Sequence, residues 1–164
     1  MTVVIAQIKD GKSYMASDSL DHDNSLRYKA PKIVRIKDRL LIGVSGLAKL
    51  YDIVADINVK SNISIDSKYL SKLGQSCFER LRDELVVTKS EDIEAELLFL
   101  TEDGIFSMSI DSPIYEHKDF WAIGSGQKLA IGCMEGGGDI KAAVECACKY
   151  DPNCGRPAVL EILK

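Results

Sequence analysis

Two periodicities alternate in blocks along this chain, and their order restricts the fold more than any single motif does. Thr2 opens an apolar run, "TVVIAQIK", which Asp10-Gly11 turns back into "KSYMASDS". Asp-Gly between two such runs is a hairpin signal, because the tight turn needs positive φ at both central residues. "KIVRIK" (32–37) alternates apolar and polar with period 2, "DR" turns it, and "LLIGVSG" (40–46) returns. The period then changes to that of a helix. Leu47, Leu50, Ile53, Val54 and Ile57 share one helical face. A second helix is expected over 66–85, striped by Leu70, Leu73, Cys77, Leu81 and Leu85 and capped by Asp66.

The alternation repeats in the second half. "ELLFLT" (96–101) and "IFSMSI" (105–110) flank "EDG" as a third hairpin, and "DFWAIGSG" (119–126) is a strand that ends in glycines. "QKLAIGCMEGGG" starts a helix that the triple glycine stops. "DIKAAVECACKY" (139–150) is a further helix, capped by Asp139, with Ala142, Ala143, Cys146 and Tyr150 on one side. "AVLEIL" (158–163) is the last strand. "LDHDNSLRYKAP" (20–31), "SEDIEA" (90–95) and "DPNCGRP" (151–157) read as polar connections. Strand pairs separated by helix pairs do not make a parallel βαβ fold. They predict an α+β fold of mainly antiparallel sheets with helices packed outside. With no repeat and no linker, residues 1–164 are expected to form one domain.

Composition removes several function classes. The net charge is -4 with both signs mixed and no basic stripe, so nucleic acid is not expected as a partner. No apolar run approaches the roughly 20 residues that span a bilayer, and the start lacks the zones of a signal peptide, so no membrane association and a cytoplasmic location are expected. The five cysteines, Cys77, Cys133, Cys146, Cys148 and Cys154, are odd in number, irregularly spaced and without a CxxC pair. Cys146 and Cys148 would point about 200° apart on a helix. With only His22 and His117 beside them, no metal or other cofactor is expected.

No P-loop, dinucleotide fingerprint, HExxH or GxSxG occurs in the chain. "GSG" at 124–126, between a strand and a helix, can present N–H groups to an anion or form a plain tight turn. Asp18 closes the second strand and Lys32 opens the third. They suit one end of a sheet beside Thr2, or an ordinary strand-end ion pair. Gly43 interrupts an apolar strand, as at a bulge or where another backbone or a ligand comes close.

Together these segments resemble the proteasome β subunits and the HslV peptidase, within the N-terminal nucleophile (Ntn) hydrolases. The resemblance runs over nearly the full length. "TVVIAQIKDGKSYMASDS" resembles the family's opening, "KIVRI" its lysine strand and "LIGVSG" the strand before its first helix. "AIGSG" is similar to its serine turn, and "KYDPNCG" to its late Asp-x-x-Ser loop, with Cys154 in the serine position. The resemblance implies a four-layer αββα sandwich and a threonine-type endopeptidase in a homo-oligomeric ring. It also implies a polypeptide substrate and an ATP-dependent unfoldase as a possible partner.

Carried over, Thr2 is the nucleophile and, once Met1 is removed, its own α-amine is the base. An α-amine has a pKa near 7.7–8.0, so it can accept a proton near neutral pH. Lys32 lowers the proton affinity of the site, Asp18 holds Lys32, and the Gly43 N–H meets the oxyanion. Ser125, Asp151 and Cys154 support the amine. If Met1 is retained the mechanism fails, and the alternative is a catalytically silent homologue acting as an assembly or scaffold protein. The resemblance also places Ala30, Val34, Leu41, Ser45 and Lys49 around the pocket for the residue before the cleaved bond. Leu41 at its base implies cleavage after leucine- or tyrosine-like residues.

Overall fold

The computed structural model describes residues 2–23, 26–85 and 93–163. β1 (Val4–Lys9) and β2 (Lys12–Ser17) form the first hairpin, in register from Val4 opposite Ser17 to Lys9 opposite Lys12. Asp10 and Gly11 take φ of 51° and 69°, the turn geometry that Asp-Gly favours. β5 (Ile33–Ile36) pairs with β6 (Leu40–Gly46), and β7 (Ala95–Leu100) with β8 (Ile105–Ser109). β10 (Phe120–Ile123) lies against β1, and β11 (Val159–Leu163) against β2.

Among the described residues two main sheets result, both antiparallel. One has the order β10-β1-β2-β11 and the other β5-β6-β7-β8-β9, where β9 is Tyr115–His117. Helices α1 (Ala48–Ala55) and α2 (Ser67–Leu85) cover the five-stranded sheet. Helices α3 (Gln127–Glu135) and α4 (Ile140–Tyr150) cover the four-stranded one. The two sheets face each other through Val4, Ala6 and Met15 on one side and Leu41, Leu98 and Leu100 on the other.

This layering explains why β1 is apolar at consecutive positions. Val3 and Ile5 face α3 and α4, whereas Val4 and Ala6 face the second sheet, and all four are fully buried. β6 divides likewise: Ile42 and Val44 go to the helices and Leu41 to the sheet interface. A strand covered on both faces loses its alternation, since neither face needs polar residues. Each large side chain buried this way contributes about 1.5–3 kcal/mol. The layers follow the expected αββα order.

Three local expectations need correction. The segment 20–31 is not all loop: β3 (Leu20–Asp23) and β4 (Leu26–Lys29) form a hairpin outside both main sheets. β9 was also missed; it is an edge strand of half-buried or exposed residues. Neither carries an apolar alternation in its sequence, "LDHD" and "LRYK" in the first and "YEH" in the second. On α4 the buried face is Ile140, Ala143, Val144 and Ala147, and Tyr150 is 62% exposed. That face follows the i, i+3, i+4, i+7 spacing of one helical stripe. The caps behave as expected. Asp66 accepts from Tyr69 N–H and Asp139 from Ala142 N–H, each at 2.8 Å. Part of "SEDIEA" and Met1 lie outside the described residues.

Candidate active site

Antiparallel pairing brings the start of β1, the end of β2 and the end of β10 to one edge of the four-stranded sheet. Asp18 follows β2 there, fully buried, with its N–H donating to the Val3 carbonyl at 3.1 Å. Its Oδ1 accepts from the Thr2 hydroxyl and, at 3.0 Å, from Val3 N–H. Its Oδ2 accepts from Leu20 N–H at 3.0 Å and Gly155 N–H at 3.1 Å. A carboxylate offers about four acceptor sites, so these bonds satisfy it. The expected Asp18–Lys32 pairing is therefore corrected: among the described residues Lys32 makes no ion pair with Asp18. Asp18 instead ties Thr2 to the 151–157 loop.

Thr2 itself is buried, and its backbone is seated on the "GSG" turn. Its carbonyl accepts from Gly126 N–H at 3.2 Å and from the Ser125 hydroxyl at 3.3 Å. Gly124 has φ 91°, and a Cβ there would lie 2.2 Å from the Thr2 oxygen and 2.9 Å from Ser45 Oγ. Only glycine lets this turn close on Thr2. Gly124 N–H donates to Glu96 Oε2 on β7 at 2.9 Å, a clamp between the two sheets that the sequence reading did not find.

Behind the turn stands the late loop. Asp151 accepts from Asn153 N–H at 2.9 Å and from the Cys154 thiol at 3.3 Å. Burial pushes the Asp151 carboxyl up, but hydrogen bonds from Ser125, Asn153 and Cys154 outweigh it and hold the group below its usual range. Burial chiefly, then the charge of Asp18 and the bond to Asp151, push the Cys154 thiol far up. Cys154 is thus a protonated thiol packed in the core, unsuited to be a nucleophile. Ser125, Asp151 and Cys154 do gather with Thr2, as one hydrogen-bonded chain beneath it.

Gly43 is placed differently from expectation. Val44 N–H donates to the Lys32 carbonyl at 2.9 Å. The alternation of an antiparallel ladder then turns Gly43 N–H toward Leu98, its partner on β7. A Cβ at Gly43 would lie 2.5 Å from Val4 Cγ1, so this glycine permits the two sheets to meet. The same alternation turns Gly46 N–H to the β5 side, beyond the end of β5. Gly46 is exposed and has φ 104°. Gly46, not Gly43, turns its amide away from the β7 side, and it lines a recess together with Gly124 and Ser125 of the turn that seats Thr2; its "SG" dipeptide before the helix was the signal.

Two recesses meet at Ser45 and Gly46. One, of about 480 Å³, is lined by Glu94, Glu96, Ser109, Asp111, Gly124 and Ser125. The other, of about 220 Å³, lies between β6 and α1 and includes Ala30, Lys32, Tyr51 and Asp52. Of the expected pocket residues, Ala30 and Ser45 line this second recess. Val34 instead packs beneath α1 and α2, Leu41 is fully buried between the sheets, and Lys49 pairs with Glu84 at 2.9 Å. Leu41 is four residues before Ser45, about 13 Å back along the strand. Among the described residues no cluster of three or more His, Cys, Asp or Glu is arranged to hold a metal, and no helix is long and apolar enough to cross a membrane.

The architecture is similar to that of known proteins. The architecture matches Thiobacillus denitrificans BPH in complex with epoxomicin, with a TM-score of 0.84 at 20% identity over 99% of this chain and 98% of the other. Eukaryotic HslV from Trypanosoma brucei matches with a TM-score of 0.68 at 17% identity, over 99% of both chains. No curated protein matches the chain. The fold is that of the Ntn hydrolases, and the family described as "Proteasome subunit" matches residues 2–149. The chain belongs to the proteasome subunit family.

Proposed function

We propose that this chain is the threonine peptidase subunit of a self-compartmentalising assembly, with Thr2 as nucleophile once Met1 has been removed. The observation that carries this reading is the double fixation of Thr2. Its hydroxyl is bonded to fully buried Asp18, and its carbonyl is bonded by the Ser125–Gly126 turn. A threonine at the end of a buried strand does not need both unless its position matters.

The chemistry uses one residue for two tasks. The free α-amine of Thr2 takes the proton from Oγ1, and Oγ1 attacks the carbonyl carbon of the peptide. Gly46 N–H donates to the oxyanion, a contribution of about 2.7–4 kcal/mol in comparable sites. Lys32, lining the adjoining recess, favours the neutral amine by its charge. The ammonium then returns its proton to the leaving amine, the C–N bond breaks, and an ester to Thr2 remains. Water, activated by the same amine, hydrolyses that ester and restores the site.

In this reading the substrate is polypeptide, the chain works as one domain in a homo-oligomeric ring in the cytoplasm, and an ATP-dependent unfoldase is the partner that would feed it. Intact mass of the purified protein should show loss of one methionine, and that form should cleave fluorogenic peptides. Thr2→Ala should abolish cleavage while the fold survives. Cleavage at the parent rate by Thr2→Ala would overturn the assignment. Retained Met1 with no cleavage would favour a silent scaffold subunit instead.

A further inference from the structure

β9 and β10 follow each other in the chain but belong to different sheets, and among the described residues each is an edge strand of its own sheet. The chain crosses between the sheets over residues 118–119. His117 ends β9, and Trp121 is the second residue of β10. Their rings stack across that crossing, with centroids 4.0 Å apart and planes within 5° of parallel. We propose that His117 is a pH-operated clamp between the two sheets: the neutral imidazole holds β9 to β10, and the protonated one lets these edge strands part.

Strand register puts the ring there. His117 stands opposite Ile105 on β8, and Ile105 packs between the sheets. Cross-strand partners share a face, so His117 turns the same way, toward Trp121. Its Nε2 lies 2.8 Å from the hydroxyl of Ser107, which is only 9% exposed. Among the described residues that hydroxyl has no other hydrogen bond. The tautomer with a bare Nε2 is therefore the one assigned here, because it alone gives the Ser107 hydrogen an acceptor.

A proton added to Nε2 turns this acceptor into a donor. The Ser107 hydrogen is then left without a partner where little water reaches, the costly way to lose a hydrogen bond. Burial acts in the same direction and pushes the imidazole below its usual 6.5. The indole face attracts an imidazolium, but it offers the serine no acceptor. The charged groups around the ring are Glu116, Lys118 and Asp119 beside it in the chain and Glu135 on α3, which line a recess of about 340 Å³ with His117 and Trp121. Among the described residues none of these carboxylates pairs with His117 to hold its charge. The folded chain therefore binds this proton less tightly than the unfolded one. The clamp's contribution is complete above about pH 6.5 and is lost as pH falls through the folded value. β10 carries the consequence inward, because the turn that seats Thr2 begins at Gly124, three residues after Trp121.

Trp121 is the only tryptophan, so its emission reports on this contact. Lowering the pH of the purified full chain from about 8 to about 5 should move the emission maximum to longer wavelength, reversibly and with a midpoint below 6.5. His117→Gln keeps an acceptor for Ser107 without a titrating ring, and His117→Phe keeps the stack. Either change should abolish the shift, while His22 and the surrounding carboxylates are left as they are. No shift in the parent, or an equal shift in a folded variant, overturns the proposal. Where neither variant folds, amide hydrogen exchange of the parent decides. After correction for intrinsic rates, exchange over 115–123 should speed up in acid relative to that of β1 and β2, and a uniform change across these strands overturns the proposal.

Discussion

Asp18 and Lys32 should respond to truncation in opposite ways. Asp18→Ala leaves the Thr2 hydroxyl and three N–H groups without their acceptor, the Thr2 and Val3 donors fully buried and those of Leu20 and Gly155 partly so. The expected loss is about 3 kcal/mol or more. Lys32 is only partly buried and is not paired with Asp18, so Lys32→Ala should change stability by about 0.5 kcal/mol or less while eliminating peptide hydrolysis. Urea unfolding beside a turnover assay separates the two, and equal destabilisation by both changes would refute the assignment. Asp151 makes a second residue-level test. Its folded pKa lies below the ordinary 3.8, so the unfolded chain holds the proton more tightly. That stabilisation is present above about pH 4 and lost as pH falls through the folded value. The deficit of Asp151→Asn relative to the parent, read as Tm across pH, should therefore be largest near neutrality and shrink in acid. A deficit that does not vary with pH would mean the carboxylate is not what the loop relies on.

Between elements, the connection that matters most is Glu96 on β7 to the turn that ends β10. One carboxylate oxygen holds Gly124 N–H, and the next residues of that turn hold the Thr2 carbonyl. Glu96→Ala should loosen the seat of the nucleophile and lower kcat by about 10- to 100-fold, the scale of small misplacements at a reacting centre. Glu96→Gln keeps an oxygen acceptor and should recover most of the rate. Failure of glutamine to recover more than alanine would show that Glu96 acts by charge or bulk rather than by seating the turn. KM should move less than kcat in Glu96→Ala, because the β6–α1 recess does not include Glu96.

At the scale of the whole molecule, both main sheets end in open edges among the described residues. β11 is the edge of the four-stranded sheet, with Val159 and Ile162 exposed by 38% and 44%. An edge strand with exposed apolar residues invites pairing or cover. Light scattering at micromolar concentration should return a multiple of the 18.1 kDa chain mass. A monomer would remove the ring and the compartment from the proposal, although the site chemistry could stand.

The β1–β2, β5–β6 and β7–β8 hairpins and the four helices were legible in the sequence, because period and turn chemistry are local properties of neighbouring residues. Asp10-Gly11 turns as it does in any such hairpin, and Asp66 and Asp139 cap whatever helix follows them. The sequence also carried Thr2, Asp18, Ser125, Asp151 and Cys154 as a set, since family motifs are linear strings. Partnerships were not legible. That Asp18 holds Thr2 and not Lys32, that Gly43 serves the sheet interface while Gly46 turns its amide the other way, and that Leu41 is far from the pocket all depend on which strand lies opposite which. Register across β5, β6 and β7 decides where each N–H points, and a shift of one residue would reverse it. β3, β4 and β9 escaped notice because "LDHD", "LRYK" and "YEH" are short and polar, without the alternation that core burial writes into a sequence. His117 was silent with them: an imidazole on a short edge strand acquires a meaning only when the fold stacks it on Trp121.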